Sequence, residues 1–185
     1  MAADDAIEAG ADAVALTRLW LERAVIGLNL CPFAKAVTAK GQVRIVASDA
    51  STPEALLAEL GEELLRLRDT DAQEIDTTLL VHPHVLQDFL DYNDFLDQAD
   101  ALVESLALDG VLQVASFHPD YQFAGSAFDD LANCTNRSPF PTLHLLREDS
   151  VERAVAAFPD PDAIVDRNIE TLERLGRERW DALLR

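Results

Sequence analysis

The chain's 185 residues include 34 acidic and 15 basic side chains, a formal charge of −19, and 49% of all residues are apolar. That apolar share can fill one core and excludes a chain disordered throughout. A field of that sign repels phosphate backbones and argues against a nucleic-acid partner. No apolar run approaches the roughly 18 residues of a membrane helix, and the opening MAADDAIEAGADAVA lacks the basic start and apolar core of a secretion signal. The expected setting is cytoplasmic, with no membrane partner and an oligomeric state that the sequence leaves open.

In chain order, residues 1–10 are expected to fray, and residues 11–185 to form a single α/β domain. From Asp12 the apolar positions Leu16, Leu19, Trp20 and Ile26 repeat at helical spacing up to Gly27. In NLCPFAKAVTAKG, Pro32 suits the first turn of a short helix capped by Cys31 and ended by Gly41. VRIVAS (43–48) reads as a strand. Thr52-Pro53-Glu54 opens a helix striped by Leu56, Leu60, Leu64 and Leu67. TTLLVH (77–82) is the second strand, and residues 86–108 form a helix with Phe89, Leu96, Ala99 and Val103 on one face. VLQVASFH (111–118) and TLHLLR (142–147) are the third and fourth strands. A helix after Ser150 and a last one from about Pro161 to Leu184 follow, the latter with Glu170–Arg174 and Glu173–Arg177 at ion-pair spacing.

Strands alternating with helices predict parallel pairing among the first three, with an antiparallel fourth the preferred direction. The fold class is thus a sandwich with a small, mostly parallel or mixed four-stranded sheet flanked by helices. The alternative is a split ferredoxin-like α+β arrangement.

Two strands end alike, in LLVHP and ASFHP. Ligands of open α/β sheets sit beyond the carboxyl ends of parallel strands, so His82 and His118 are candidate acid–base residues there. Tyr121, in the turn after His118, is expected at a pocket mouth. Cys31, at a helix start and one turn from Lys35, is the candidate nucleophile, because a thiolate is favoured there. In NCTNRSPFP, Asn136, Arg137 and Ser138 offer groups that bind a carboxylate or phosphate; Arg137 could equally pin its loop. His144 is expected to satisfy an internal hydrogen bond. Asp88, Asp91, Asp94 and Asp97 are expected to form a solvated helix face. Cys31 and Cys134 form no CxxC pair and suggest neither a disulfide framework nor a closed zinc site. No cofactor motif is present: there is no glycine-rich phosphate loop and no nucleophile elbow.

GLNLCPFAK, TTLLVHP with DFLDYNDFLD, and FHPDYQFAG through NCTNRSPFPTLHLLRE resemble the bacterial domain-of-unknown-function family 1415. The resemblance covers about residues 13–180 and implies a stand-alone protein of this size, with no established activity, substrate or cofactor. Three functional readings follow from the residues. The first is a small enzyme acting on an anionic small molecule, with Cys31 as nucleophile or redox thiol, His118 and His82 as acid and base, and Arg137 with Asn136 as anion holder. The second is an enzyme dependent on a divalent metal held by His82, His118 and His144. The third is a non-catalytic ligand-binding or assembly module.

Overall fold

The computed structural model describes residues 2–157, 160 and 163–184, with side chains from Gly10 onward. Helix α1 (Ala2–Trp20) continues into a π-helical turn, Leu21–Ile26, and is followed by α2 (Ala34–Ala39), β1 (Val43–Ala47), α3 (Pro53–Asp69), β2 (Thr77–Val81), α4 (Phe89–Ser105) and β3 (Leu112–Phe117). A 3-10 turn (Leu131–Asn136) then leads to β4 (Thr142–Arg147), α5 (Glu148–Ala156), α6 (Ala163–Leu175) and α7 (Arg177–Ala182).

The sheet is open and mixed, in the order β1-β2-β4-β3. β1 and β2 are parallel, and β4 runs antiparallel to both of its neighbours, β2 and β3. The first three strands therefore share one direction, and the fourth is antiparallel as preferred, but β4 is inserted between β2 and β3. The burial of the strands follows this placement. Every residue of β2 is buried, as are Thr142, Leu143 and Leu145 of β4, whereas the outer strands β1 and β3 are largely half-buried. The β2–α4–β3 unit is thus a split βαβ, the one feature of the ferredoxin-like alternative that the fold contains.

Each sheet face has its own core. On one side α3 and α4 bring Leu56, Leu60, Leu64, Tyr92, Phe95 and Ala99 onto Leu80, Leu112, Leu143 and Leu145. Each of the leucines and Phe95 stabilises by about 1.5–3 kcal/mol on burial. Thr52 caps α3 by accepting from the Ala55 N–H, and Asp88 caps α4 by accepting from Leu90 and Asp91. Asp88, Asp91, Asp94 and Asp97 are all exposed, as a solvated face requires. On the other side α1, the π turn and α7 pack Trp20, Ala24, Val25 and Trp180 onto Val43, Ile45, Leu79 and Phe117.

Three local expectations are corrected. The helix expected to run on to Gly27 changes to π geometry after Trp20; Leu21, Ala24 and Val25 are buried, while Leu16, expected on the apolar face, is 37% exposed. The helix expected from Pro32 starts at Ala34, with Phe33 at its cap. Cys31 still belongs to the preceding turn, because its N–H reaches the Val25 carbonyl and its own carbonyl accepts from Ala34. The long last helix is broken at Gly176, whose φ of 77° suits glycine. The break sends Arg177 to the Asp129 carbonyl and the Cys134 sulfur, away from the expected pairing with Glu173. Pro161, where that helix was expected to begin, lies outside the described residues.

Candidate functional site

β2 and β3 run the same way, so His82 and His118 leave the sheet at one edge. Alternation along each strand turns both toward α3 and α4. They meet the ring of Tyr92 from α4, at centroid distances of 5.6 Å for His82 and 5.1 Å for His118. Both imidazoles are fully buried. His82 bonds the Val85 carbonyl through Nδ1 at 2.9 Å, and His118 bonds the Leu86 carbonyl through Nε2 at 3.2 Å. Asp120 donates its N–H to His118 Nδ1 at 3.0 Å, which fixes His118 as the neutral Nε2–H tautomer. His82, donating from Nδ1, has at Nε2 a buried lone pair with no partner among the described residues.

These two histidines therefore hold adjacent carbonyls of one loop. Its Leu86 has a φ of 56°, an unusual conformation for a branched side chain. Burial favours the neutral ring: it pushes His82 down to about 4 and also lowers His118, although the Leu86 carbonyl and the Asp120 and Asp88 carboxylates oppose the shift in His118.

His144 lies on the other face of the sheet, against Phe117. The Thr77 hydroxyl spends its single proton on the Leu145 carbonyl, so His144 Nε2 donates to Thr77 Oγ1 at 2.8 Å. Burial pushes His144 down to about 4. The three histidines weighed as metal ligands are thus divided between two faces, and His84 is exposed. Among the described residues no group of three or more histidine, cysteine or carboxylate side chains has a geometry that could hold a metal ion.

The loop residues are mostly engaged with main chain. Arg137 donates from Nε to the Tyr121 carbonyl and from Nη2 to the Phe128 carbonyl, with its guanidinium 4.7 Å from the centre of the Phe128 ring. Ser138 donates to the Phe140 carbonyl, fixing the turn into β4. Tyr121 sits between Phe89 of α4 and Phe123, at 5.2 and 5.0 Å.

Cys31 lies on the Phe117 side of the sheet. It lines a solvent-open cavity of about 590 Å³ between the π turn, the end of β3, the 3-10 turn and α6. Val25, Leu30, Phe117, Phe123 and Ile169 give it apolar walls, and Thr135, Asn136 and Asn168 add polar groups. Among the described residues none that lines it is acidic, basic or histidine. Asn136 is anchored by donating its side-chain N–H to the Ser116 carbonyl, and its own carbonyl accepts the His118 N–H. Asn168 donates to the Leu30 carbonyl.

Of the residues singled out from sequence, Cys31 and Asn136 share this cavity. His82 and His118 pair beneath α4, and Arg137, Tyr121 and Ser138 brace the connection between the two groups. Sequence reasoning missed Phe117, Asn168 and Ile169 as cavity walls, and missed Tyr92 as the ring that joins the histidines. Strand alternation held the signal for Phe117, since it must face away from its neighbour His118.

Residues 12–182 match the model of a family described as "Protein of unknown function (DUF1415)", and the chain belongs to that family. No curated protein and no solved structure matches it. Among the described residues no helix is long and apolar enough to cross a membrane.

Proposed function

We propose that the chain binds a small, uncharged, largely apolar molecule in the cavity beside Cys31, and that the thiol contacts the bound molecule directly. The observation that carries this reading is the cavity itself: a preformed, mainly apolar concavity with a few convergent polar groups is the usual form of a small-molecule site. An anionic ligand held by Arg137 is less well supported, because that guanidinium already serves two main-chain carbonyls and does not line the cavity. The buried histidines serve the framework in this reading, not proton transfer to the ligand, and the reading requires no metal. Both cysteines are free, which fits the reducing cytoplasm we assign to the protein.

The test uses the uncharged fluorophore N-phenyl-1-naphthylamine and the neutral alkylating agent iodoacetamide. The fluorophore should bind saturably at one site per chain and slow carbamidomethylation of Cys31. Val165→Trp should weaken binding: Val165 is 62% exposed at the cavity wall, so the larger ring blocks entry without disturbing the core. Saturable binding that survives Val165→Trp and leaves the Cys31 labelling rate unchanged would defeat the reading.

A further inference from the structure

His118 and the cavity lie on opposite sides of β3, yet the same short segments hold both. The Asp120 N–H ends on His118 Nδ1, and the Tyr121 N–H ends on the His118 carbonyl. The Tyr121 ring packs against Phe89, itself 5.4 Å from His118, and against Phe123 in the cavity wall. Behind the strand, the carbonyl of cavity-lining Asn136 receives the His118 N–H.

We propose that His118 couples proton binding to occupancy of the cavity, its protonation releasing the 119–123 turn and withdrawing Phe123 from the wall. This inference rests on the reading that the cavity binds a small molecule. A proton at Nδ1 removes the acceptor of the Asp120 N–H, so the turn that begins there loses one of its anchors and is held farther along, by Arg137 at the Tyr121 carbonyl and by Asn133 at the Phe123 N–H. The groups facing the imidazole are His82 and Tyr92 beneath α4, the Asp88 carboxylate at the start of α4, the Leu86 carbonyl, and the Asp120 carboxylate with Tyr121 on the turn. Burial disfavours the imidazolium and the two carboxylates favour it, with burial prevailing. The protonated state is thus reached only below the ordinary histidine range.

The ¹⁵N-labelled full chain and a His118→Asn variant, whose amide oxygen can take the place of Nδ1 as acceptor without titrating, are compared between about pH 7.5 and about pH 5.0. In the wild type, affinity for N-phenyl-1-naphthylamine should fall by roughly three- to tenfold on acidification. The amide signals of Asp120 and Phe123 should move with one shared midpoint, and both responses should vanish in His118→Asn. A second measurement needs no variant: by reciprocity, saturating fluorophore must lower the midpoint of the His118 ring titration in the wild type. Fluorophore binding that ignores pH, a pH response retained by His118→Asn, or a His118 midpoint unmoved by fluorophore overturns the coupling and leaves the cavity reading standing. Failure of the fluorophore to bind at either pH defeats the cavity reading and the coupling with it.

Discussion

Phe117 and His118 are consecutive, yet they serve opposite faces of the sheet. The Phe117 ring meets Trp20 at 5.1 Å on the α1 side, whereas the His118 ring meets Tyr92 at 5.1 Å beneath α4. One step of strand alternation therefore separates the cavity that holds Cys31 from the buried imidazole pair.

Acid should weaken the fold through its histidines. The folded pKa values of His82 and His144 are pushed down to about 4, below the ordinary 6.5. Between those limits the unfolded chain binds more protons than the folded one. Stability is therefore complete above about pH 6.5, falls as the pH drops toward about 4, and changes no further through these groups below that. The loss should be on the order of 1–3 kcal/mol for each histidine. Urea unfolding at a series of pH values measures it, and His144→Gln should flatten part of the slope.

Tyr92 joins the ends of β2 and β3 to α4, and its hydroxyl donates to the Thr142 carbonyl at 2.9 Å. Tyr92→Phe keeps the ring contacts and loses this bond, costing about 1 kcal/mol. Tyr92→Ala removes the ring on which both imidazoles rest, costing about 3–5 kcal/mol. Chemical denaturation followed by the fluorescence of buried Trp20 distinguishes the two.

The two thiols should differ in reactivity toward iodoacetamide. Cys31 is partly exposed in the cavity wall, whereas Cys134 is fully buried, with Arg177 Nη1 at 3.4 Å from its sulfur. Burial raises the pKa of the Cys134 thiol, against the pull of Arg177 and Arg137. The native protein should take up one label per chain, and Cys31→Ser should take up none until it is unfolded. Mass spectrometry of the alkylated protein decides this.

Arg137 should behave as a brace. Arg137→Ala removes a donor from the carbonyls of Tyr121 and Phe128, leaves the latter with its bond from Asn133, and uncovers the Phe128 ring; it should cost about 1–3 kcal/mol. Hydrogen exchange should quicken across residues 119–130. Affinity for inorganic phosphate, measured by calorimetry, should be negligible in both wild type and variant; tight binding lost in Arg137→Ala would restore the anion-holding role.

Local signals in the sequence were enough to place all four strands, the start of α3 and the solvated aspartate face, but not the start of α4, which begins at Phe89 behind its Asp88 cap and not at Leu86. They act within a few residues: Thr52 bonds the first turn of α3, and the leucines of α3 repeat on one face. The position of β4 was not legible, because insertion between β2 and β3 rests on pairing between segments far apart in the chain. The expected meeting of Cys31 with His118 failed for a related reason. The shared edge of β2 and β3 was visible in the paired His-Pro junctions, but which face each residue serves depends on counting outward from Phe117. The π turn after Trp20 and the break at Gly176 were hidden as well, since helical spacing alone does not mark where the winding changes.

The insertion of β4 also sets an order of events during synthesis. Until residues 142–147 emerge from the ribosome, the inner borders of β2 and β3 have no strand between them, and the apolar TTLLV segment must wait with half its main-chain groups open. A nascent chain stopped after β3 thus carries a sticky, unfinished ribbon. Truncations that remove β4 should accumulate as aggregates, while those ending beyond it should stay dispersed.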